Sequence, residues 1–314
     1  MLDAIGYRPT EINDYDYLPF LPVRLFKMME LRSVGLDDIV KTMTSSGTTG
    51  QSLSKIFLDK NTSAYQTKAL IKIVSTFISN QRLPMIILDS REAVKDREMF
   101  SARGAGILGF SIFGNKKIYA FNEKMELNRD VIEEFIKNHK REKIFLFGFT
   151  FIIWQHFYKE LLKSNKSLNL SNAVLIHGGG WKKLISESVT SKEFKDSLKS
   201  VCGIDDIHDY YGMAEQTGSI YMECEYGHLH ASVFSDVIIR KPIDFSIAEK
   251  GEKGIIQVLS ILPHSYPGHN LLTEDEGILL GEDDCPCGRL GRYFKIEGRI
   301  KDAEIRGCSD VYAN

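Results

Sequence analysis

No segment of this 314-residue chain sustains the roughly 18 apolar residues that a membrane-crossing helix needs, which argues against membrane insertion. Charge of one sign is also missing. Forty lysines and arginines stand against 42 aspartates and glutamates, a net charge of −2, so there is no basic footprint for nucleic acid. The N-terminal residues MLDAIGYRPTEINDYDYLPF lack a basic stretch followed by an apolar one and do not read as a secretory signal. Cysteine is sparse and odd in number, five in all, with Cys285 and Cys287 too close for a simple disulfide framework. That usage suits a reducing cytoplasm, where thiols serve as metal ligands, nucleophiles or core residues. Internal repeats and low-complexity linkers are absent, which speaks against a freely tethered second domain. At 43% hydrophobic and 26% charged, the chain can bury one large core or two medium ones.

What is present is an alternation of element types. A helix is expected over 62–80, with Asn61, Thr62 and Ser63 as its cap, and another over 129–140. Short apolar runs at 85–88, 143–147 and 174–176 predict buried strands, and 149–162 reads as an aromatic-rich helix. Strands alternating with helices predict an α/β fold with a mainly parallel sheet and helices on both faces. From about residue 227 the runs shorten, at 238–239, 254–260 and 277–280, and predict a smaller antiparallel or barrel-like subregion. The organisation expected is a lead-in over 1–40, an α/β region over 41–226, a β-rich subregion over 227–297 and a tail over 298–314.

Five motifs carry the candidate chemistry. The first is Thr44-Ser45-Ser46-Gly47-Thr48-Thr49-Gly50, followed by a strand at 54–58, so a hairpin would bracket it. Glycines allow close backbone approach and hydroxyls donate to phosphate oxygens, although a surface loop has the same composition. No Gly-Lys-Ser/Thr follows, so the Walker pattern is excluded. The others are HGGGW at 177–181, YYGMAEQTG at 210–218, and TEDEG at 273–277 with GRIKD at 298–302. Glycine loops at the C-terminal ends of parallel strands are where ligands bind in such sheets.

The order and character of these motifs resemble the adenylate-forming superfamily of acyl- and aryl-CoA ligases, luciferases and peptide-synthetase adenylation domains. LPFLPVRLFK, SKIFLD, FSARGAGILGFSIFG, HGGGWK and the terminal EIRGCSD are similar, more narrowly, to the acyl-protein synthetases of bacterial bioluminescence, over nearly the whole chain. The resemblance implies a ligase that uses ATP and Mg²⁺ to activate a fatty or aryl carboxylic acid as an acyl-adenylate. Ser45, Ser46, Gly47, Thr48, Thr49 and Gly50 would then hold the β- and γ-phosphates, with Thr49 nearest the chemistry. Gly178, Gly179 and Gly180 would line the adenine slot, and Tyr211, beside Gly212, would stack on the base. Asp275 would hold the ribose, with Glu274 as the alternative. Arg299 would reach ribose or phosphate, and Glu215 would ligate Mg²⁺, a hard cation suited to carboxylates.

The same resemblance makes Cys308, seventh residue from the end, the thiol that carries the acyl group as a thioester toward an acyl-reductase partner. The small C-terminal domain usual in the superfamily is expected to be lacking, since twelve residues follow Asp302. Free coenzyme A as the acceptor, and a nucleotide-binding subunit without turnover, remain alternatives. Cys224, His230, Cys285 and Cys287 match the composition of a structural zinc site, with His228 competing for the fourth place. Three reduced, unligated thiols are the other reading. Cys202 is expected to be a buried core residue.

Overall fold

The computed structural model describes residues 15–45, 53–95, 101–164, 167–181 and 187–300. In chain order, β1 (Leu21–Pro22) and α1 (Leu25–Met28) lead to a hairpin of β2 (Ile39–Thr44) and β3 (Lys55–Asp59). Then come α2 (Lys60–Ser75), β4 (Leu83–Ser90), α3 (Ala102–Phe110), β5 (Gly114–Phe121), α4 (Arg129–Asn138) and β6 (Ile144–Phe149). A helix follows that begins as α5 (Thr150–Ile152), widens to a π-helix (Ile153–Tyr158) and ends as α6 (Lys159–Ser164). The chain continues with β7 (Ala173–Gly178), α7 (Ser191–Cys202), β8 (Asp206–Tyr211), β9 (Tyr221–Glu223) and β10 (Leu229–His230). It closes with β11 (Ser235–Arg240), β12 (Lys253–Ser260), β13 (Asn270–Glu282) and β14 (Arg292–Arg299).

All of these strands except the β2–β3 hairpin join one twelve-stranded sheet, ordered β11-β12-β13-β14-β10-β9-β8-β7-β6-β4-β5, with β1 paired to β13. From β5 to β8 the neighbours are parallel, and from β8 to β11 they are antiparallel. The fold is therefore α/β, a parallel half extended edge to edge by an antiparallel half.

The apolar runs explain the parallel half. Strands covered on both faces need no alternation, and every residue of β6 and β7 is buried. Phe110 of α3 stacks on Phe147 with ring centroids 4.1 Å apart, while Ile153 packs over Gly148, its neighbour in the strand. Side chains alternate along a strand, so these two contacts lie on opposite faces. At the end of β4, Asp89 is fully buried and pairs with Arg103 of α3, Nε to Oδ2 at 2.8 Å.

The expected cap of α2 is corrected by the structure. Asp59 accepts from the Thr62 amide at 2.7 Å, and the Thr62 hydroxyl accepts from Ser265 N–H at 3.1 Å. The helix also stops at Ser75, short of residue 80. Among the described residues, no helix is long and apolar enough to cross a membrane.

Candidate functional site

The end of β7 forms the floor of a site. A Cβ on Gly178 would lie 2.5 Å from the ring of Tyr210, and Gly179 turns through φ +81°, so glycine is required at both. A Cβ on Gly180 would meet nothing within 4 Å among the described residues, which marks the rim. Preceding them is His177, only 4% exposed, a residue that sequence reasoning passed over in favour of its glycines. Its Nδ1 lies 2.9 Å from Thr150 Oγ1, whose hydroxyl also reaches the Gly178 carbonyl at 3.2 Å. Nε2 is buried with no hydrogen-bond partner among the described residues.

Burial, with the positive charges of Lys195 and His208 adding to it, pushes the His177 imidazole down to about 3. The unfolded chain takes up a proton below the ordinary value near 6.5 that the folded chain refuses until about 3. Stability contributed by this group is thus intact above about 6.5 and falls with pH through that window, by about 1.4 kcal/mol per pH unit. Thermal unfolding midpoints should drop between about pH 7 and pH 5, and His177→Asn should make that drop visibly shallower. An unchanged slope would count against a buried neutral imidazole.

Next to this floor, three strands bring one acceptor between two donors. Tyr211, at the end of β8, donates its phenol to Asp275 Oδ2 at 2.7 Å. Arg299, directly across the β13–β14 ladder from Asp275, donates Nε to Oδ1 at 3.0 Å. Burial and the Asp275 carboxylate hold the Tyr211 phenol well above its ordinary value, so it stays a donor. Asp275 and Arg299 remain 19% and 32% exposed, within reach of a ligand. Glu274 accepts from Arg24 Nε at 2.8 Å through one oxygen, and its other oxygen lies 3.9 Å from an Arg299 nitrogen.

Beyond Gly212 the chain makes a 3₁₀ turn, Ala214–Gln216, that buries Glu215 to 2% exposure. The Gln216 amide anchors the turn on the Val258 and Gly268 carbonyls at 3.1 and 2.8 Å. Gly218, at φ +90°, lets the exit press on α2, where a Cβ would come within 2.8 Å of Gln66 Cα. The Thr217 hydroxyl lies 3.9 Å from Met43 Sδ, so β2, which leads into the Ser/Thr/Gly loop, borders this turn. At the loop's base, Ser45 N–H donates to the Ser54 carbonyl and Ser45 Oγ accepts from Ser54 N–H, each at 3.0 Å. Ser46, Gly47, Thr48, Thr49, Gly50 and Cys308 lie outside the described residues.

A second cluster gathers Cys224, His230, Cys285 and Cys287, whose ligand atoms all lie within 4.8 Å of one another. The cysteines are free thiols. His230 Nε2 is 3.4 Å from Cys287 Sγ, and His228 Nδ1 is 3.3 Å from Cys285 Sγ. Cys202 is buried, as expected.

The model of the family described as "Acyl-protein synthetase, LuxE" matches residues 9–314. A long-chain-fatty-acid–luciferin-component ligase of Aliivibrio fischeri is 23% identical over 313 residues, covering 96% of this chain and 80% of that protein. An open-conformation structure of 2-hydroxyisobutyryl-CoA ligase superposes with a TM-score of 0.70 at 16% identity, covering 96% of this chain and 69% of that one. ATP-bound MatB from Rhodopseudomonas palustris superposes with a TM-score of 0.55 at 16% identity and 85% coverage; the chain spans 49% of its length. The fold is that of adenylate-forming ligases, and the chain belongs to the LuxE acyl-protein synthetase family.

Proposed function

We propose that this chain activates a fatty acid with ATP, carries the acyl group on Cys308 and passes it to a reductase partner. The observation that carries the reading is the convergence of Tyr211, Asp275 and Arg299 beside the Gly178–Gly180 rim and the Glu215 turn. A carboxylate held between two donors keeps its remaining lone pairs for a vicinal diol, and the ribose of ATP presents one. The fatty-acid assignment draws on the name of the Aliivibrio fischeri relative, and the reductase partner on the family resemblance.

In the first step a substrate carboxylate oxygen attacks the α-phosphorus, the bond to the β-phosphate breaks, and pyrophosphate leaves. In the second the Cys308 thiolate attacks the acyl carbon, the bond to the phosphate oxygen breaks, and AMP leaves. Mg²⁺, when bound, would neutralise phosphate charge, and Glu215 supplies the hard oxygen donor it prefers. Arg299 would stabilise developing negative charge, and Gly179 and Gly180 leave room for the base against the end of β7.

Intact-mass measurement after incubation with ATP, Mg²⁺ and a panel of fatty and aryl acids tests this directly. The expected result is a mass gain of one acyl group that hydroxylamine removes. Cys308→Ala should abolish acyl retention while pyrophosphate release stays within a few-fold. Acyl-CoA formation from free coenzyme A at an undiminished rate in Cys308→Ala would remove the thioester step. No ATP-dependent pyrophosphate release with any acid would overturn the whole reading.

A further inference from the structure

We infer that Cys224, His230, Cys285 and Cys287 form a closed tetrahedral zinc site that clamps the C-terminal end of α2 through Arg289. Cys224 comes from the loop joining β9 to β10, His230 from β10 itself, and Cys285 and Cys287 from the loop joining β13 to β14. Their spacing is that of a coordination shell. Zinc bonds of about 2.3 Å to sulfur and about 2.0 Å to nitrogen place tetrahedral ligands roughly 3.5–3.8 Å apart. The 3.4 Å between His230 Nε2 and Cys287 Sγ is already at that spacing, and the 4.8 Å limit for the set calls for a contraction of about 1 Å at most.

The backbone is shaped for the same purpose. Cys224 O accepts from Gly227 N–H at 2.9 Å, and Cys285 O accepts from Gly288 N–H at 2.9 Å, so each loop folds around its cysteine. Arg289 N–H donates to Cys287 Sγ at 3.5 Å, a donor suited to a thiolate. His228, whose Nδ1 faces Cys285 Sγ, supports that thiol from outside the set of four. Three thiolates crowded together would repel one another without a cation. On binding, the three thiols give their protons to solvent, and zinc takes three sulfurs and one neutral nitrogen. All four places are then filled by protein, which marks a structural site with no position for a substrate.

The site stands away from the adenylate chemistry. Gln66 of α2 underlies the Glu215 turn, and Thr76, ten residues on, lies about 15 Å further along the helix axis. There the Arg289 guanidinium donates to Thr76 Oγ1 at 3.0 Å and to the Thr76 carbonyl at 3.1 Å, and sits 3.7 Å over the Phe77 ring. A cation at the last carbonyls of a helix is favoured by its dipole. The metal fixes the loop, the loop fixes Arg289, and Arg289 secures the helix whose other end borders the site.

Metal analysis of the purified full chain should find close to one zinc per molecule. Cys285→Ser and His230→Ala should lose it, whereas His228→Ala should keep it. Cobalt added to the chelated protein should give the intense visible bands of a tetrahedral thiolate site. Chelation should raise hydrogen exchange at Ile73, Val74, Thr76 and Phe77 at least ten-fold, reversibly on adding zinc, and Arg289→Ala should do the same with zinc retained. No zinc together with no tetrahedral cobalt bands would overturn the site. Unchanged exchange after chelation would overturn the clamp, and because chelation uses the unaltered chain, a variant that fails to fold does not protect the idea. These readouts are independent of acid activation, so the ligase reading can fail while this one stands.

Discussion

Asp275→Ala should reduce ATP-dependent pyrophosphate release by about 100-fold or more, with a raised KM for ATP, while the sheet remains folded. The side chain is 19% exposed, so its loss opens no core cavity. What disappears is the acceptor on which Tyr211 and Arg299 converge at 2.7 and 3.0 Å. Removing one preorganised polar group from such a site typically costs 10²–10³ in rate. Asp275→Asn separates charge from shape, since it keeps the volume and one acceptor but ends the pairing with Arg299. Tyr211→Phe removes a single hydrogen bond to a charged group and should cost about ten-fold. If Asp275→Ala keeps its activity within about three-fold, the diol-binding assignment is wrong and Glu274 becomes the residue to test.

Breaking the buried pair between β4 and α3 should have the largest effect on stability. Asp89 and Arg103 side chains are 0% and 3% exposed, and two guanidinium nitrogens contact the two carboxylate oxygens. Asp89→Asn would leave a guanidinium in the interior without its carboxylate, a change that typically costs about 3–5 kcal/mol. Thermal melting should fall by roughly 10 °C on that scale. The double substitution Asp89→Leu with Arg103→Met should recover much of the loss, because apolar side chains of similar size carry no desolvation penalty. A single variant that melts within about 2 °C of the parent chain would show that the pair is not needed.

Which features were legible in the sequence follows from what each element needed. The strands of the parallel half were plain because burial on both faces leaves continuous apolar runs at 85–88, 143–147 and 174–176. β13 was harder. Only residues 277–280 were expected as a strand, yet the acidic stretch Thr273–Glu276 lies inside the same thirteen-residue strand. Each acid there meets a cation: Glu274 meets Arg24, Asp275 meets Arg299, and Glu276 meets Lys253 at 2.8 Å. Pairing of that kind depends on register, which no local pattern carries. Motif order pointed to Tyr211 and Asp275 separately, but not to the bond between them. His177 was missed because a lone histidine ending an apolar strand has no signature of its own, and Asp89 and Arg103 because partners fourteen residues apart look like surface charges.

The sheet is narrowest where its two halves meet. β9 and β10 have three and two residues, and the side chains of β9 divide between the halves, Met222 entering the core under the parallel strands and Tyr221 the core under the antiparallel ones. Tyr211 stands on one bank of this isthmus and Asp275 on the other, so their hydrogen bond is a rivet across the join. A nucleotide seated there would bridge both banks at once, and a shift of one core against the other by even an ångström would be felt first as a lost grip on the ligand.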